Sequence, residues 1–143
     1  MKIYIIIYFF VFSCLWSKYS FAVNENQWDG DFRVEEFGEQ LNDGSQVYLQ
    51  YNLTINIKNN HASLFMTTWH AGIKCIGDYS LKIKSGILEL YYSGVEKNAC
   101  PYPSPQFEIN RKENTYYIRG SVFSYSLPGK WLPLEHIPSN SGS

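Results

Sequence analysis

The sequence predicts an all-β domain: a single antiparallel meander of about seven or eight strands, closed or partly closed as a barrel, with a β-sandwich as the alternative. Three observations lead there. Apolar and polar residues alternate with period 2 through most of the chain after residue 22, no segment carries a helical period, and turn residues recur at short intervals. Short sequential hairpins favour the barrel over the sandwich.

The clearest strand is SQVYLQYNLTINIK. Val47, Leu49, Tyr51, Leu53, Ile55 and Ile57 share one face; Gln46, Gln50, Asn52, Thr54, Asn56 and Lys58 share the other. A helix would mix the two sets around its circumference, so the segment is a long strand with one buried and one wet face. WDGDFRVEEF repeats the pattern, with Trp28, Phe32 and Val34 inward and Asp29, Asp31, Arg33 and Glu35 outward. Around Cys75, Ile73, Cys75, Tyr79, Leu81 and Ile83 are expected inward, with Lys74, Asp78, Lys82 and Lys84 outward. NDGS (42–45), KNNH (58–61) and KSG (84–86) are the hairpin connections. YSGVEKNACPYPSP is the longest irregular stretch, since Pro101, Pro103 and Pro105 forbid regular pairing. Further strands are expected over 106–111, 115–122 and 123–127, and Trp131 and Leu134 are expected to close one end of the core. No repeat or linker interrupts residues 23–138, which form one domain; the tail 139–143 is expected to be disordered.

Residues 1–22 read as a removable export signal. Lys2 supplies a positive start, residues 3–15 an apolar core too short for a membrane span, and Ser20-Phe21-Ala22 small residues before a cleavage point after Ala22. A membrane-anchoring helix is the alternative for this segment. VFSC (11–14) also resembles a lipoprotein processing site, which would instead anchor the protein through a lipid on Cys14. Removing the leader takes Lys2 and Lys18 with it and moves the net charge from −1 to −3. With no basic surplus to neutralise phosphates, nucleic acid is excluded as a partner. No stable membrane span is expected after signal removal. Aromatics make up 17% of the chain, enough for a large core without a metal.

The mature chain keeps Cys75 and Cys100. Two cysteines in an exported domain are expected to pair, which implies a periplasmic or secreted location and about 3–4 kcal/mol of stabilisation. A nucleophilic Cys75 would need a base, and His70 is the single local candidate. His61, His70 and His136 lack metal-ligand spacing, and no nucleophile elbow or phosphate loop occurs, so no catalytic residue, metal or cofactor is assigned. Asp29 and Asp31 lack the remainder of a calcium loop and read as an outward strand face.

Glu36 falls on the inward row, where a carboxylate must be paired, hydrogen-bonded or facing a cavity. Arg119 is the expected partner, with Arg111 as the other candidate. Tyr91, Tyr92 and Tyr102 are expected on a rim, where aromatic residues anchor partners.

WDGDFRVEEF, CIGDYSL and YYIRG followed by Trp131-Leu-Pro-Leu together resemble a domain-of-unknown-function family of small exported Gram-negative bacterial proteins. That family opens on Trp-x-Gly-x-aromatic and has a central Cys-x-Gly-x-Tyr. The resemblance implies a periplasmic, disulfide-bonded β domain and no activity. A looser likeness to lipocalin-like barrels implies packing of Trp28 near Arg119. The expected function is an exported, non-enzymatic binding protein that binds or inhibits another protein of the cell envelope, as inhibitors and immunity proteins do. The alternatives are a lipocalin-like carrier of a small apolar ligand and an envelope hydrolase using Glu36 with a second carboxylate.

Overall fold

Strands with one apolar row bury it most completely when the meander rolls up until its first strand meets its last. The computed structural model, which describes residues 25–96 and 98–138, shows this arrangement. The expected leader, residues 1–22 with Cys14, and the tail 139–143 lie outside the described residues. A short 3-10 helix, Glu25–Trp28, precedes eight strands: β1 (Gly30–Gln40), β2 (Gln46–Asn56), β3 (His61–Trp69), β4 (Gly77–Lys84), β5 (Ile87–Tyr92), β6 (Phe107–Lys112), β7 (Thr115–Arg119) and β8 (Leu132–Ile137). They form a closed antiparallel barrel in sequence order. Closure comes from Asp31–Arg33 of β1 paired with Ile137–Glu135 of β8. The barrel, not the sandwich, is the architecture.

The interior is filled by side chains. Phe32, Leu49, Tyr51, Met66, Tyr79 and Phe107 are each at most 2% exposed; the inward rows of β1 and β2 follow the expected alternation, and β3 buries Ala62, Leu64 and Met66 in the same way. The two ends differ. Short hairpins at 57–60, 85–86 and 113–114 form one end, and the 3-10 helix plugs it. There Trp28, 0% exposed, meets the edge of Tyr116 at 6.2 Å, while the Tyr116 hydroxyl donates to the Gln27 carbonyl at 2.6 Å. Arg111 Nη1 donates to Gln27 Oε1 at 2.9 Å. The other end carries the long connections, 70–76, 93–106 and 120–131, beside the tight turn 41–45. From it Phe123 turns inward, edge-on to Tyr51 at 5.1 Å and to Phe107 at 5.5 Å.

Three expectations change. β7 stops at Arg119 and the closing strand is Leu132–Ile137, so 120–131 is a loop instead of a strand continuation. Two prolines hide β8 from a sequence reading. Pro133 is tolerated because β8 pairs with β1 only from Glu135 onward, leaving Pro133 edge-like on that side. Cys75 precedes β4 and has φ +58°, a left-handed backbone that no strand can hold; Ile73, expected inward, is exposed, while Leu81 and Ile83 are half-buried. Trp131 is half-buried and stacks beneath Arg119, whose guanidinium carbon is 4.5 Å from the ring centre; Trp28 is the tryptophan that closes an end.

Burial pushes the phenols of Tyr51 and Tyr79 well above the ordinary tyrosine range, and the Glu36 carboxylate adds to the effect at Tyr51. The folded state therefore holds these protons more tightly than the unfolded chain. Stability is fully present below pH of about 10 and falls above it, by about 1.4 kcal/mol per pH unit for each such tyrosine. Urea midpoints measured from pH 9 to 11.5 will show this slope, and Tyr79→Phe will reduce it.

Candidate functional site

A filled barrel leaves its ends and outer faces to meet a partner. The loop end is assembled by four ties. The Cys75–Cys100 disulfide joins the β3–β4 loop to the β5–β6 loop, and Cys75 N–H donates to the Ala99 carbonyl at 3.1 Å. The Tyr79 hydroxyl donates to the Cys75 carbonyl at 2.6 Å. Lys74 Nζ donates to the Tyr102 hydroxyl at 2.9 Å and to the Ser124 hydroxyl, so one ammonium bridges three loops.

Glu36 supplies the fourth tie. Its side chain lies in a residue only 3% exposed and accepts from the Tyr51 hydroxyl at 3.0 Å, the Tyr125 N–H at 3.2 Å and the Ser126 hydroxyl at 2.9 Å. Gly38 lets the Tyr125 ring cross β1, since a Cβ there would lie 2.6 Å from that ring. The expected Glu36–Arg119 pair does not form. Arg119 instead makes a two-pronged bond to Glu108, Nε at 2.6 Å and Nη2 at 3.1 Å. The cause is register: Glu108 sits directly opposite Arg119 on β6. Arg111, the other candidate, is bonded to Gln27 and Asn114 at the opposite end of the barrel. The Trp28–Arg119 packing implied by the lipocalin-like resemblance is absent as well. Glu36→Ala will strand the Tyr51 hydroxyl and a backbone N–H, costing about 2–3 kcal/mol in urea unfolding, while Glu36→Gln, which keeps an acceptor, will cost less.

The three rim tyrosines are engaged within the chain. Tyr91 donates to Glu89 at 2.6 Å beneath Lys82, Tyr92 packs edge-on to Tyr79 at 5.4 Å, and Tyr102 lies beneath Lys74. All three are half-buried.

The exposed large apolar residues identify a different surface. Phe37, Trp69, Ile73, Ile76, Val95, Tyr125 and Leu127 all sit at the loop end, and Phe65 is the one large apolar residue exposed elsewhere among the described residues. Three aromatic residues make a cross-strand row on the outer face of β1–β3. Phe37 is opposite Tyr48, and Tyr48 is opposite Trp69. Two strand spacings separate the ends of the row, about 10 Å. The Phe37 and Tyr48 rings are 5.3 Å apart, and His70 stands perpendicular to Trp69 at 4.8 Å. The Tyr48 hydroxyl is shared between Glu35 Oε1 and Gln50 Oε1, each at 2.7 Å. Burial, followed by that Glu35 contact, raises the Tyr48 phenol above its ordinary value. Beside Phe37 lies a depression of about 250 Å³ lined by Arg33, Val34, Glu35, Phe37, Pro133 and Glu135. The sequence did contain a signal for this row: all three aromatics fall on the outward, polar phase of strands whose inward phase is already apolar.

Among the described residues no helix is long and apolar enough to cross a membrane, and the disulfide fits an oxidising compartment. Compared with protein-family models, with curated proteins and with solved structures, the chain gives no match.

Proposed function

We propose that the protein is an exported, non-enzymatic binding module of the periplasm whose partner is another protein of the cell envelope, in the manner of an inhibitor or an immunity protein. The observation that carries this reading is the gathering of exposed apolar side chains at the crosslinked loop end. Exposed apolar side chains gathered at one end are costly in water and point to an interaction site. Two further features support it. The interior is packed with large side chains, which leaves little room for the small apolar ligand of a carrier. Glu36, the inward carboxylate that a hydrolase would use, has its oxygens bonded to a tyrosine and a loop.

The test is a pull-down from envelope extract with the immobilised mature protein, oxidised and reduced, followed by mass spectrometry. A stoichiometric protein retained by the oxidised form and lost on reduction is the expected result. Recovery of lipid alone, or of nothing, overturns the reading.

A further inference from the structure

We infer that the outer face of β1–β3 at the loop end is the docking surface and that its partner is a cationic protein; this rests on the protein-binding reading above. Two independent observations carry it, charge distribution and the placement of cations over aromatic rings.

Between residues 29 and 69 the sequence holds six carboxylates, Asp29, Asp31, Glu35, Glu36, Glu39 and Asp43, against two bases, Arg33 and Lys58. From 70 to 138 eight bases face six acids. The barrel is therefore two-sided, with β1–β3 carrying the negative side. Glu36 points inward, but Asp31, Glu35, Glu39 and Asp43 are exposed. Glu35 touches the Tyr48 hydroxyl. Asp43, held below the ordinary carboxylate range by the hydroxyl and N–H of Ser45, also feels the His70 ring that stands on Trp69. The aromatic row is thus bracketed by carboxylates.

The positive side covers its own rings. Lys74 lies over Tyr102, Lys82 over Tyr91, Arg111 over Tyr116, Lys112 over Tyr117 and Arg119 over Trp131, at 4.5 to 6.0 Å from the ring centres. Every such pair among the described residues lies in the β3–β4 loop or beyond it. Among the described residues no cation lies over Phe37, Tyr48 or Trp69, although Phe37 is 56% and Trp69 57% exposed. Aromatic faces attract lysine and arginine, and neighbouring carboxylates strengthen that attraction. The row therefore offers the aromatic and anionic half of an interaction whose cationic half the partner supplies. The depression beside Phe37 adds a place for one long basic side chain, its stem along Phe37 and Pro133 and its head between Glu35 and Glu135. Arg33, on the same wall, is the one base such a side chain meets there.

The experiment compares the wild type with three double variants in capture from envelope extract and in binding to the captured protein once purified. Phe37→Ser with Trp69→Ser removes the row, and Glu35→Lys with Glu39→Lys reverses the charge beside it. Val95→Ser with Leu127→Ser alters exposed apolar residues on the other loops. All six positions are solvent-facing, and an unchanged thermal midpoint establishes that each variant folds. The expected partner has an isoelectric point above about 9 and is released by raising the salt concentration. Its affinity falls about thirtyfold or more with the aromatic variant and about tenfold or more with the charge variant, and is unchanged by the loop variant.

Capture that survives the first two variants and is lost in the third overturns the docking surface while leaving protein binding in place. A partner that is acidic, or indifferent to salt, overturns the charge argument. If the wild type captures no protein, the underlying reading fails too. Binding that depends on Trp69 but goes to phosphatidylethanolamine–phosphatidylglycerol vesicles in place of protein identifies a lipid surface and overturns the inference.

Discussion

Replacing Cys75 and Cys100 together by alanine will lower the unfolding free energy by about 3–4 kcal/mol, the cost expected for releasing a crosslink across 25 residues of sequence. The unfolded chain gains freedom, whereas the folded loops keep the Tyr79–Cys75 and Cys75–Ala99 hydrogen bonds that dock them. Urea unfolding of the oxidised wild type and the variant measures the difference. A larger m-value in the variant will show that the crosslink acts by compacting the unfolded ensemble. A loss under about 1 kcal/mol would mean that the loops are held by packing and hydrogen bonds alone. Because the same bond joins two of the loops that build the exposed apolar end, reduction should weaken partner capture at temperatures where the barrel itself remains folded.

Trp28→Ala will destabilise the fold by about 3–5 kcal/mol, the range for removing the largest side chains from a packed core. Trp28 is fully buried and is the plug of the short-hairpin end, set against Tyr116 and preceded by the Gln27 contacts to Arg111 and Tyr116. Its indole Nε1 has no hydrogen-bond partner among the described residues. Trp28→Phe therefore loses volume but no hydrogen bond, and will cost about 1–2 kcal/mol. A Phe variant as damaging as the Ala variant would show that the indole nitrogen is satisfied, for instance through water.

The strands were legible in the sequence because parity along a strand is a local property. Val47 through Ile57 alternate without interruption, and the fold keeps that alternation almost residue for residue. The pairing of Cys75 with Cys100 was legible too, since two cysteines after residue 22 offer one connectivity. What parity cannot supply is the position of a residue relative to a strand other than its own. It placed Glu36 inward correctly, yet two of the three donors that reach it come from Tyr125 and Ser126, about ninety residues later, on a loop whose return across β1 has no sequence signature. Arg119 went to Glu108 because the short β6–β7 hairpin sets them opposite one another. The aromatic row was legible in part: the outward phase of each ring could be read along its own strand, but the alignment of the three could not. Phe37, Tyr48 and Trp69 line up only through the register of β1 on β2 and of β2 on β3, next to a β1 irregularity between Phe37 and Gln40. Cys75 misled because a positive φ is invisible in an apolar alternation that runs past it.

An even number of strands joined in sequence order brings the first and last strands side by side, running in opposite directions. Gly30 opens β1 and Ile137 ends β8 at the plugged end, with Asp31 directly opposite Ile137. Whatever is attached to either end of the barrel, whether a tag, a linker or a solid support, therefore leaves from the side away from the long loops. A molecule tethered in this way stands on its plug and holds Phe37, Tyr48 and Trp69 toward the solution.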